Sequence, residues 1–167
     1  MNFTAKTWTF GDNINTDLIL PGRAQLFTEE EQMACVFEAN RPGWLNEISV
    51  GDVIIGGQNF GMGSSRPAAR SLRNIGLGCL VAESINGLFF RNCVNWGFLA
   101  LECPGISTAF TEGDVAEVSF ENFTVTNQRT GETIQAGSIP EQLLNTMRAG
   151  GVFPVLEAEG LVAPAAI

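Results

Sequence analysis

The sequence predicts an α/β fold, a mixed sheet with barrel-like curl built around a central β-α-β-α-β unit. Three observations predict it. Short apolar runs recur at Val53-Ile54-Ile55, Cys79-Leu80-Val81-Ala82 and Phe98-Leu99-Ala100-Leu101, as expected of strands buried on both faces. Helical patterns with their own start and stop signals separate these runs. Beyond residue 115 the pattern alternates with period two, which suits antiparallel strands added to a parallel core.

Taken in order, Met1 to Phe10 alternates polar and apolar residues, and Gly11 to Asp17 gathers residues that favour turns by bonding their own backbone. Thr28 and Glu31 match a capping box for a helix expected to end near Asn40, before the Arg41-Pro42-Gly43 break. The first apolar run stops at Gly56-Gly57. A helix is then expected from about Ser65 to Ile75, with Pro67 in its first turn and Gly76 at its end. After the second run, Ser84 is expected to cap a helix reaching Asn95, with Gly97 as its stop. Strands connected by helices imply parallel neighbours with right-handed crossovers. Val115 to Phe120 and Phe123 to Thr126 read as strands, followed by a turn at Arg129-Thr130-Gly131 and another short strand. Pro140 then opens a helix closed by Gly150-Gly151. With no internal repeat or linker, residues 1-167 are expected to form a single domain.

Composition narrows the chemistry. The 167 residues include no histidine, so a Ser-His-Asp triad, a Cys-His dyad, a His-liganded zinc and a histidine proton shuttle are all excluded within this chain. Nine basic against eighteen acidic side chains give a net charge of -9, which disfavours nucleic acid or an anionic membrane as partner. The N-terminal segment lacks an apolar run suited to a signal peptide or membrane span, so the expected location is cytoplasmic. Cys35, Cys79, Cys93 and Cys103 lack the tight grouping of many iron-sulfur and zinc sites. They read as small buried hydrophobes, and no metal site is expected in this chain.

Gly61-Met62-Gly63-Ser64-Ser65-Arg66 lies where a parallel strand hands over to a helix. Ligands of open α/β sheets bind beyond the carboxyl ends of strands, and helix N-termini attract anions. Glycines admit a ligand close to the backbone, serines add hydroxyls, and arginine offers a fork matched to a carboxylate. A serine cap beside a surface arginine would satisfy the same spacing. The charge distribution favours the anion site: from Gln58 to Cys103 four arginines face two glutamates, a net +2, which leaves -11 on the rest. Arg70 and Arg73 read more simply as a face paired with carboxylates of the same chain.

The ordered motifs from Phe10-Gly11-Asp12-Asn13-Ile14-Asn15-Thr16-Asp17 to Pro21-Gly22-Arg23, then Gly51-Asp52-Val53-Ile54-Ile55, Asn59-Phe60-Gly61-Met62-Gly63-Ser64-Ser65-Arg66, Ala82-Glu83-Ser84, Phe89-Phe90-Arg91-Asn92 and Leu101-Glu102-Cys103, resemble one family. It is the aconitase superfamily, in the form of the 3-isopropylmalate dehydratase small subunits. The resemblance spans essentially the whole chain. It implies a swivelling β/β/α domain and the activity of a hydro-lyase, a dehydratase or isomerase of a small hydroxy di- or tricarboxylic acid. It further implies a separate large subunit that carries a [4Fe-4S] cluster, with no cofactor bound by this chain. The family's catalytic serine falls on Ser64 and its active-site aspartate on Asp17. Its substrate-carboxylate arginine falls on Arg66, Ser65 adds hydrogen bonds, and Arg23 is a further candidate for substrate recognition. The pattern departs at Pro67-Ala68-Ala69, where relatives usually carry Glu-His-Ala, at Met62, usually cysteine, and at Ala24-Gln25-Leu26. A non-catalytic swivel-fold module that binds a carboxylate or a partner is the alternative.

Overall fold

A computed structural model describes residues 2–64 and 67–164. Seven strands form one mixed sheet: β1 (Asn2–Thr9), β2 (Val53–Gly56), β3 (Cys79–Ala82), β4 (Ala100–Glu102), β5 (Val115–Ser119), β6 (Thr124–Asn127) and β7 (Thr133–Gln135). Their spatial order is β4-β3-β2-β1-β5-β6-β7. From β1 through β4 neighbours run parallel, while β1 to β5, β5 to β6 and β6 to β7 run antiparallel. The sheet curls into a half-barrel.

Every residue of β2 and β3 is buried, because helices cover both faces of the parallel half. Ile54, Leu80, Ala82 and Ala100 point to one core, shared with Trp8, Phe60, Leu72 and Phe89. Val53, Ile55, Val81 and Leu101 point to the other, with Val118, Val125, Leu144 and Met147. The helices are α1 (Thr16–Ile19), α2 (Glu29–Ala34), α3 (Pro67–Asn74), α4 (Gly87–Trp96), α5 (Ile106–Ala109), α6 (Glu141–Arg148) and α7 (Val152–Ala158).

The expected β-α-β-α-β unit is present as β2-α3-β3-α4-β4. Three local expectations need correction. The capping box of Thr28 and Glu31 forms, but α2 stops at Ala34 rather than near Asn40. Phe37 takes φ 54 instead, which buries its ring completely, stacked on Phe10 at 4.3 Å and edge-on to Trp44 at 5.2 Å. Asn86, not Ser84, caps α4, accepting a hydrogen bond from the Leu88 N–H. Strand β4 starts at Ala100, two residues later than the apolar run. The helix expected between Pro140 and Gly150-Gly151 is α6, and a further helix, α7, follows it.

Candidate functional site

The loop after β1 and the loop after β2 continue the parallel pairing of those strands past their ends. Phe10 N–H donates to Ile55 O at 2.8 Å, Asn13 N–H to Gln58 O at 2.8 Å, Gly61 N–H to Ile14 O at 2.7 Å and Thr16 N–H to Met62 O at 2.7 Å. Asn15 and Met62 form a parallel bridge. Side chains reinforce the seam. The Asp12 carboxylate accepts the Gln58 N–H at 2.7 Å, and a Cβ on Gly57 would fall on that carboxylate. Asn15 Oδ1 accepts the Leu18 N–H at 2.8 Å and so caps α1.

Both motif glycines are required by geometry. Gly61 has φ +81 and its Cα faces the Phe89 ring, which an added Cβ would overlap. Gly63 has φ +108, and a Cβ there would lie 2.6 Å from Thr16 Oγ1. These are positions where only glycine combines the left-handed backbone with so close an approach. Between them Met62 is partly exposed, and its sulfur accepts from Asn59 Nδ2 at 3.4 Å.

Gly63 therefore touches Thr16, and the next residue on each loop is a predicted site residue. Ser64 follows Gly63 and Asp17 follows Thr16; both are exposed. The structure thus brings together the segments of Ser64 and Asp17, more than forty residues apart in the chain. Ser64 lies three residues before the first residue of α3. Ser65 and Arg66, the two other motif residues expected to bind substrate, lie outside the described residues. Arg23 occupies a 3-10 turn over Gly22–Leu26 and pairs with Glu38, its side chain 57% exposed. That pairing engages the guanidinium within the chain.

Two further arginines of the positive segment, Arg70 and Arg73, are engaged within the chain. Arg70 pairs with Glu29 at 2.9 Å, donates to Gln32 Oε1 at 3.0 Å and lies over the Trp96 ring. Arg73 donates to Trp96 O at 2.6 Å and Gly150 O at 3.2 Å, which ties the end of α4 to the α6–α7 turn. Among the described residues no three of Cys, Asp and Glu gather as metal ligands. The four cysteines are buried free thiols. Burial pushes Cys79 up to about 12 and Cys103 up to about 11, and raises Cys35 and Cys93 as well. The four thiols are divided between the two cores, Cys35 and Cys93 in one and Cys79 and Cys103 in the other, so they do not gather as the ligands of one cluster.

Sequence reading missed the scaffold of this site: Asp12, Asn13, Asn59 and Ser84. A signal was available in the two asparagines, each in a turn-rich loop, since asparagine tolerates a left-handed backbone better than most residues with a Cβ.

Residues 12–105 match the aconitase C-terminal domain family. The chain is 40% identical over 154 residues to the isopropylmalate/citramalate isomerase small subunit of Methanocaldococcus jannaschii, covering 91% of this chain and 92% of that one. It is 38% identical over 157 residues to 3-isopropylmalate dehydratase small subunit 1 of Methanopyrus kandleri, covering 93% and 92%. Among solved structures, a 3-isopropylmalate dehydratase from M. jannaschii superposes with a TM-score of 0.90 at 25% identity, covering 96% of each chain.

Proposed function

The chain belongs to the aconitase C-terminal domain family, and from that premise we propose that it is the small subunit of a heteromeric hydro-lyase acting on a small hydroxy dicarboxylate of the 3-isopropylmalate type. The observation that carries this reading is the zipped pair of loops that brings the segments of Ser64 and Asp17 together beyond the ends of β1 and β2.

In this reading the Ser64 alkoxide takes the proton from the carbon adjacent to the hydroxyl-bearing one, and hydroxide leaves from the neighbouring carbon to give the unsaturated diacid. Return of the proton from Ser64, directly or through solvent, converts that hydroxide to water and regenerates the alkoxide. Rehydration in the other sense would complete an isomerisation. A serine alkoxide is unfavourable in water. The N-terminal end of α3, three residues on, together with the arginine of the motif, favours negative charge at that oxygen. Arg66 is assigned the substrate carboxylate, with Ser65 adding hydrogen bonds; Asp17 orients the reacting groups. Arg23 contacts substrate only if it leaves Glu38. A separate large subunit closes the site and holds the [4Fe-4S] cluster, which supplies Lewis-acid help to the departing hydroxyl. Cytoplasmic residence accords with the reduced thiols; among the described residues no helix is long and apolar enough to cross a membrane.

The test is coexpression with the large subunit, anaerobic cluster reconstitution, and an ultraviolet assay of 3-isopropylmalate and citramalate for unsaturated products. Turnover of at least one is expected, and none from the isolated chain. A reconstituted complex that binds these acids without converting them would replace the reading by a non-catalytic carboxylate-binding module.

A further inference from the structure

The geometry points to Ser84 as a positioning residue for the Ser64 turn, an inference that rests on the reading of Ser64 given above. Two asparagines in the seam hold left-handed backbones, Asn13 at φ 56 and Asn59 at φ 54. Such conformations persist where surrounding bonds over-determine them. Asn59 is held from both sides. Its N–H donates to Ser84 Oγ at 2.8 Å, and its Nδ2 reaches Asn13 Oδ1 at 3.3 Å and Met62 Sδ at 3.4 Å. The Ser84 hydroxyl also donates to Gln58 Oε1 at 2.9 Å, so both its donor and its acceptor capacity serve this loop.

The backbone repeats the attachment one residue later. Phe60 N–H donates to Ser84 O at 3.0 Å, Asn86 N–H donates to Phe60 O at 2.9 Å, and Phe60 bridges Ile85. Ser84 lies two residues past β3, a strand buried on both faces, and so offers the loop a rigid point. Rigidity is needed there because Gly61 and Gly63 come next, and glycine adds no conformational restraint of its own. The Ser84 hydroxyl fixes Asn59 before the chain enters the glycines; Asn13 fixes it to the loop that carries Asp17. Ser84 accordingly does not cap α4: its hydroxyl is engaged with Asn59 and Gln58, and Asn86 takes the cap.

The experiment compares Ser84→Ala and Ser84→Thr with wild type. Amide hydrogen exchange of the isolated chain is followed in peptides covering 57–64 and β3, and kcat and KM are measured in the reconstituted complex with 3-isopropylmalate. Ser84→Ala is expected to raise exchange in 57–64 with β3 unchanged, and to lower kcat about tenfold or more while KM moves less than about threefold, because slight misplacement of a reacting group is costly. Ser84→Thr, which keeps the hydroxyl, is expected to restore both. Unchanged exchange in 57–64 overturns the proposal whatever the activity. Raised exchange with unchanged kcat, in a complex that Ser64→Ala inactivates, overturns it too. Wild-type turnover by Ser64→Ala would instead remove Ser64 as the base and with it the catalytic consequence of Ser84, while the exchange data would still decide whether Ser84 holds the turn. A thermal midpoint for Ser84→Ala close to wild type separates positioning from general destabilisation.

Discussion

Gly63 and Ser64 divide the work of the turn. Replacing Gly63 by alanine strains a backbone at φ +108 and presses a methyl against Thr16 Oγ1. The left-handed backbone alone costs about 1–2 kcal/mol for a residue with a Cβ. The expected result is a chain that folds with a lowered melting temperature and a complex with sharply reduced kcat, because Thr16 and Met62 must separate; unaltered kinetics would show that the two loops need not touch. Ser64→Ala removes the proposed base without touching the seam. A fall in kcat of about 100-fold or more is expected, the usual scale for losing a general base, with the melting temperature unchanged. Arg66→Lys turns a two-pronged contact into a point charge, so KM should rise more than kcat falls. Equal KM for that variant and wild type would remove the carboxylate clamp.

At the scale of elements, legibility followed burial. The runs Val53 to Ile55 and Cys79 to Ala82 could be recognised because a strand covered on both faces has no polar positions, and both are strands in the structure. Helix α2 was overestimated because its end is decided from outside: Phe37 leaves the helix to join Phe10 and Trp44, partners distant in sequence. The site was legible as a turn, through its glycines and serines. Its support was not, since the bond from Asn59 to Ser84 spans 25 positions and no local pattern announces it. The same limit hid the joint between α4 and the α6–α7 turn. There a Cβ on Gly97 or Gly151 would overlap backbone atoms of the other segment, and Arg73 bridges Trp96 O and Gly150 O. Arg73→Met keeps much of the side-chain length and removes the bridge. A loss of about 2–3 kcal/mol is expected from denaturant unfolding, the range for hydrogen bonds to a charged group together with the carbonyls left unpaired. A loss under about 0.5 kcal/mol would mean that glycine packing alone holds the joint.

For the molecule as a whole, the joint that matters is where the sheet changes from parallel to antiparallel. Strand β1 belongs to both halves, and Asp114, at the entry to β5, fastens them. Its main-chain oxygen accepts the Thr7 N–H at 2.8 Å and the Thr7 hydroxyl at 2.9 Å. Its carboxylate accepts Arg129 Nε at 2.6 Å and Nη2 at 2.9 Å, the Thr111 N–H at 2.9 Å and Asn127 Nδ2 at 2.8 Å. Arg129 first, then these hydrogen bonds, hold the carboxyl far below the usual carboxylate range. A carboxyl depressed on folding stabilises fully above its unfolded value, about 3.9, and the contribution fades as pH falls through and below that value. Glu112 is lowered by Arg41, and Glu83 is lowered because hydrogen bonds from Ser107 and Gly105 outweigh the opposing effect of burial. Acid should therefore loosen the molecule at several points, with Asp114 the steepest. Asp114→Asn should melt earlier than wild type at pH 7, and its melting temperature should fall less between pH 5 and pH 2, so that the two curves converge in acid. Parallel curves over that interval would show that the junction of the two half-sheets does not depend on the charge of Asp114.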